Sequence, residues 1–334
     1  MTTEPRTSAE AAHGDGADAG GHGSTTAIIA ALLANLGIAI AKFVAFIVTG
    51  ASSMLAEAIH SLADSGNQVL LLVGGRRAQR AATPEHPFGY GRDRYIYAFI
   101  VSIVLFSVGG LFAVYEGVHK LQHPEAVESP AWALGVLVIA IGLEGFSLRT
   151  AVKETGAVKA PGESYWRFIR TARAPELPVV LLEDTAALLG LVFALLGVGV
   201  AALTGNGVYD GLGTVAIGLL LLVVAVILAV ETKSLLLGES ATPEDQRKIV
   251  AALEAGQFSV IHMRTLHLGP DEVLVAAKIA VTHDDTAGGI ASGIDDAERR
   301  IRAAVPIARV IYLEPDLRRS AEPAPSGANA TPEV

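Results

Sequence analysis

The chain has 334 residues, of which 51% are hydrophobic and only 18% charged, and its mean hydropathy is +0.46. That profile is too apolar for a soluble enzyme of this size, and a net charge of -9 lacks the basic excess a nucleic-acid partner calls for. There is no cysteine, which excludes disulfides, thiolate zinc sites and thiol catalysis and leaves His, Asp, Glu, Asn or backbone oxygen to hold any metal.

Residues 1–24 are rich in Ala, Gly and Thr. With no apolar run they do not form a secretory signal peptide, and they read as a disordered arm in which His13 and His22 stand isolated. Six apolar segments follow, at about 27–49, 53–73, 95–118, 131–148, 178–203 and 209–230. At about 1.5 Å per residue each can cross a hydrocarbon core about 30 Å thick, the fourth being the shortest.

Lys and Arg orient them. The second connection carries Arg76, Arg77, Arg80, Arg92 and Arg94, and the fourth carries Arg149, Lys153, Lys159, Arg167, Arg170 and Arg173. The other connections offer Lys120 alone. An excess of positive charge marks the cytoplasmic side, so both termini are expected there, in the plasma (inner) membrane of a bacterium-like cell.

Beyond residue 233 the pattern changes. Thr242, Pro243, Glu244 and Asp245 make a helix start, with a capping hydroxyl, Pro in the first turn and acids near the positive end of the dipole. Strands are predicted at 258–268 and 272–281, the latter alternating Val273, Val275, Ala277, Ile279 and Val281. A helix at 290–304 and a strand at 308–313 complete an αββαβ order. The fold expected is an α-helical membrane protein: a transmembrane domain over 25–233, a small cytoplasmic α+β domain of ferredoxin-like order over 234–317, and a disordered tail over 318–334. Helices cover one face of its sheet, leaving the other for a second copy.

The chemistry lies in EAIHSLADSGN, residues 57–67, inside the second apolar segment. Glu57, His60, Asp64 and Asn67 recur every three or four residues, so a helix puts them on one stripe. Polar groups at membrane depth are costly unless paired, metal-bound or wet, which makes the stripe a functional candidate; the plain alternative is a polar packing seam. His60 and Asp64, four apart, can converge on one ion, but tetrahedral zinc wants at least three protein groups. The fifth segment supplies Glu183 and Asp184, only one of which can face the ion. At about 1.5 Å per residue, Asp64, Asp184 and Glu144 fall at similar depths, about 17, 20 and 19 Å from the outer surface. Asn35, Lys42, Glu116 and Asp210 read as packing or interfacial groups, with Lys42 and Asp210 placed to pair.

The sequence resembles the cation diffusion facilitators, transporters of zinc and other divalent metals, over about residues 28–316. The carriers are NLGIAIAKFVAFIVTGASSMLAEAIHSLADSGNQ, the loop HPFGYGRDRY at 86–95, and the αββαβ domain. The resemblance implies a homodimeric metal–proton antiporter with a four-ligand site, two ligands from helix two and two from helix five. Helix two keeps both, as His60 and Asp64. In helix five the positions four before Asp184 and Glu183 are Val180 and Val179, as in the divergent branch that includes the mitochondrial-type zinc transporters. That leaves His60, Asp64 and Asp184, with Glu183, Glu144, Asn67 or water as the fourth.

Secondary sites of the family are eroded: in the second connection His86 remains, with Tyr90 in place of a second His. In the αββαβ domain Ile261, Ala277 and Tyr312 stand where a metal cluster is often held, with Glu314 still acidic and His262, His267 and His283 off register. The cargo implied is Zn²⁺, with Mn²⁺, Fe²⁺ or Co²⁺ tolerated; the partners are protons, membrane lipid and a second copy. The alternative is a non-transporting membrane scaffold or metal sensor. No enzymatic activity is expected, because nothing accompanies the stripe as a general base in a substrate cavity.

Overall fold

The computed structural model describes residues 21–317, with side chains from Asn35 onward apart from residues 105–106. Residues 1–20 of the expected arm with His13, the His22 side chain and the expected tail lie outside the described residues. Seven helices come first: α1 Gly21–Thr49, α2 Ser52–Ala78, α3 Asp93–Gln122, α4 Pro130–Val158, the short α5 Tyr165–Thr171, α6 Glu176–Thr204 and α7 Val208–Leu237. The rest is α8 Pro243–Glu254, β1 Ser259–Gly269, β2 Glu272–Val281, α9 Ala287–Ala304 and β3 Ala308–Leu317.

Of the described helices, α3, α4, α6 and α7 are long and apolar enough to cross a membrane. The six spans expected from sequence are therefore matched by four on length and composition. In α1 the apolar stretch with described side chains is Asn35–Thr49, and α2 is made too polar by the stripe itself, Glu57, His60, Asp64, Asn67 and Gln68. The helices also outrun the apolar segments. α4 continues ten residues past the expected end, because Arg149, Lys153 and Glu154 are good helix formers.

The chain divides into two compact units. One takes residues 21–69, 112–142 and 189–218; the other takes 70–111, 143–188 and 219–317. In the first, α1 turns Ala39, Lys42, Ala45 and Thr49 inward, while Leu36, Ile40, Phe43, Val44 and Ile47 face out. Small residues inside and large apolar ones outside is the pattern of a helix whose solvent is lipid.

The second unit contains the αββαβ domain. Its sheet has the order β1-β2-β3, with β1 antiparallel and β3 parallel to the central β2. Thr242 opens α8 by accepting from the Asp245 amide at 3.1 Å, with Pro243 behind it. Thr286 opens α9 in the same way on the Gly289 amide. The alternating residues Val273, Val275, Ala277 and Ile279 are buried with Ile249 and Leu253 of α8 and Ile301 of α9, so both helices lie on one face. Burial of each such side chain stabilises by about 1.5–3 kcal/mol.

Candidate metal site

The stripe on α2 is fixed from its first turn. Gly50, between α1 and α2, has φ +60°, a left-handed conformation that an L side chain disfavours. Its carbonyl accepts from Lys120 Nζ at 3.0 Å. The amides of Ser52 and Ser53 have no carbonyl one turn back and donate instead to the two oxygens of Asp210 on α7, at 2.7 and 3.3 Å. Ser53 Oγ donates to the same carboxylate, and Ser52 Oγ donates to Glu116 Oε1 at 2.9 Å. A carboxylate from another helix thus caps α2, satisfying donors that would otherwise be orphaned and opposing the positive dipole end.

Asp210 is therefore not the partner of Lys42, as the sequence suggested. Lys42 Nζ donates to Glu57 Oε2 at 2.9 Å and to Ser61 Oγ at 2.8 Å, and both charged residues are 0% exposed. Asp210 is taken up by α2 amides, while Glu57 lies within reach of α1. Glu57 Oε1 lies against α6 at Gly190, where an added Cβ would come within 2.5 Å of it and force the carboxylate to shift.

One turn further along, His60 Nδ1 and Asp64 Oδ1 are 3.4 Å apart, both side chains buried. Two ligands of a tetrahedral ion, each at about 2.0–2.2 Å, are separated by about 3.3–3.5 Å. The helix thus presents the pair at the spacing one ion needs. Asn67, a turn beyond, is also buried.

On α6, Asp184 and Glu183 are both buried, and Asp184 Oδ2 accepts from Ser147 Oγ of α4 at 2.9 Å. Glu144 is half-buried, one turn before Ser147. Among the described residues, no three His, Asp or Glu side chains gather around one point; the expected ligands that the structure does pair are His60 and Asp64. His86 sits exposed in the loop before α3, its ring edge-on to Tyr90 at 4.7 Å.

In the αββαβ domain, Glu314, the remaining acid, pairs with Lys278 at 3.2 Å, and Lys278 also binds Asp316. His267 is buried, its Nδ1 3.1 Å from the Gly269 carbonyl. Sequence reading missed the roles of Lys42, Glu57, Ser61 and Ser147. The available signal was Lys42 itself, a cation amid apolar residues that demands an acid at its own depth.

A family model described as the cation efflux transmembrane domain matches residues 28–237. Among curated relatives, the proton-coupled zinc antiporter SLC30A9, mitochondrial, of Mus musculus is 36% identical over 241 residues, covering 71% of this chain and 42% of the relative. The human protein of that name is 39% identical over 214 residues, 64% of this chain and 38% of the relative. Metal tolerance protein C4 of Arabidopsis thaliana is 30% identical over 264 residues, 77% of this chain and 57% of the relative.

The chain spans less than half the length of the two antiporters. Their names are those of transporters, not enzymes. They also overturn the expected plasma membrane of a bacterium-like cell, since the location in their names is mitochondrial. Charge asymmetry between loops reports which ends share a side, and carries no information on which membrane they span. With 28–237 covered by the family model, the chain belongs to the cation efflux family, the cation diffusion facilitators.

Proposed function

We propose that this chain carries a divalent metal ion, Zn²⁺ first, across a membrane in exchange for protons. His60 and Asp64 are its ligands from α2, and Asp184 is the acidic ligand of α6. Glu183, Glu144 and Asn67 are the candidates for a fourth position, and α1 and α2 join the four apolar helices to make six spans. The observation that carries this reading is the buried His60–Asp64 pair at 3.4 Å, inside the matched transmembrane domain. The zinc antiporter names of the relatives support the choice of cargo.

The mechanism follows from the ligand types. An ion held by an imidazole and carboxylates neutralises charge that is otherwise costly away from water. Ligation needs deprotonated groups, so protons arriving from the opposite side compete for the same atoms and release the ion. Alternating exposure of the pair then couples the two flows. Imidazole plus carboxylate suits zinc and tolerates Mn²⁺, Fe²⁺ or Co²⁺. The αββαβ domain, residues 234–317, pairs two copies through the sheet face that its helices leave open.

Val179 and Val180, in place of a second helix-five ligand, favour one rival reading, a metal sensor or scaffold that moves nothing. Purified full-length protein in liposomes holding a zinc-sensitive dye, given a pH gradient, separates the two. Zinc uptake that collapses with the gradient supports antiport. If no divalent ion moves under any gradient, the sensor reading replaces it.

A further inference from the structure

The metal site takes up none of the arginines at the ends of α2 and α3. Arg77, Arg80 and Arg92 line a cavity of about 580 Å³, and among the described residues none of the three is in an ion pair. Arg94, next in sequence, contrasts with them: its guanidinium is committed to Glu176 and to Asp271, both at 2.6 Å. That second pair helps hold the opposite wall, which is built from β1 and β2. Gly91 touches this wall through its backbone, where an added Cβ would meet the Leu268 carbonyl at 2.9 Å. The cavity is therefore fastened on two sides.

Its lining is amphipathic. Phe88, Ile96, Leu266, Leu268 and Leu274 supply an apolar part, and Glu85 and Asp93 are its acids. Among its Arg, Asp and Glu side chains, three guanidiniums against two carboxylates leave one formal positive charge. That balance suits a singly charged phosphodiester and opposes a nucleotide triphosphate. Guanidinium forks match phosphate oxygens bidentately, and basic groups at the end of a membrane helix attract anionic headgroups.

We propose that this cavity binds a singly charged phosphate group bearing an apolar stem. An anionic lipid supplies both parts, whereas free phosphate supplies only the first. The test is native mass spectrometry of the full chain released from mixed micelles containing equal phosphatidylglycerol and phosphatidylcholine. Wild type should retain phosphatidylglycerol about tenfold over phosphatidylcholine. The doubly substituted Arg80→Gln, Arg92→Gln protein should lose that preference, and Arg80→Lys, Arg92→Lys, which keeps charge without the fork, should retain part of it.

Millimolar inorganic phosphate is the second arm. If it displaces phosphatidylglycerol in wild type, the site takes soluble phosphate and the apolar stem is dispensable, which overturns the lipid half of the proposal. No lipid preference in wild type, or an undiminished preference in the Arg80→Gln, Arg92→Gln protein, overturns the site itself.

Discussion

Lys42 Nζ of α1 lies 2.9 Å from Glu57 Oε2 of α2, with neither side chain exposed, and Glu57 stands one turn before His60 on α2. Lys42 also donates to Ser61, so a single cation on α1 fixes both the rotation and the depth of the α2 stripe. Removing one partner of a buried pair leaves an uncompensated charge and costs about 3–5 kcal/mol, whereas replacing both is often nearly neutral. Lys42→Met should lower the thermal unfolding midpoint in detergent sharply, and Lys42→Met with Glu57→Gln should recover most of the loss. Equal destabilisation by the single and double substitutions would contradict the pairing.

Asp210 caps α2 from another helix. Asp210→Ala removes the acceptor of two buried amides and a hydroxyl, at a cost of about 1–3 kcal/mol. Asp210→Asn keeps one acceptor oxygen and should fall between. Thermal unfolding followed by circular dichroism measures both, and wild-type stability in Asp210→Ala would show that the cap is dispensable.

The sequence made some of this legible and hid the rest for identifiable reasons. The spacing of His60 and Asp64 is a property of one helix, so it could be read directly. The same is true of the Thr242 cap and the alternation of β2. The partner of Lys42 was not legible, because it depends on how helices cross, and Asp210 and Glu57 were both acids within plausible reach. The long end of α4 was hidden because hydropathy marks where the apolar face stops, not where backbone hydrogen bonding does. The short α5, capped by Ser164 on the Arg167 amide, lay within a basic connection whose only clear pattern was charge.

His267 gives the αββαβ domain a pH dependence. Burial is the main cause holding its pKa below the ordinary imidazole value, and the nearby Arg173 adds to it, against the opposing hydrogen bond to the Gly269 carbonyl. In the unfolded chain it titrates near about 6.5, so the unfolded state takes up a proton first as pH falls. Its contribution to stability is complete above that value and is lost as pH falls from there towards the folded pKa. The unfolding midpoint should drop between pH 7.5 and 5, and less steeply in His267→Gln. Identical slopes in the two proteins would rule His267 out as the cause.

Val180 stands one turn before Asp184, where the family resemblance places a ligand. Val180→His or Val180→Asp should tighten zinc binding several-fold or reorder the preference among Zn²⁺, Mn²⁺ and Co²⁺, read by calorimetric titration of the purified protein. Unchanged affinity and order in both would show that this position does not meet the ion.

The central claim is that His60 and Asp64 hold the transported ion. Zinc uptake into liposomes under a pH gradient tests it most directly when wild type is compared with Asp64→Ala and His60→Ala at equal reconstituted amounts. The expected result is uptake in wild type that falls to the protein-free background in both substitutions, while each retains the wild-type elution profile in detergent. Uptake at the wild-type rate in folded Asp64→Ala would contradict the account.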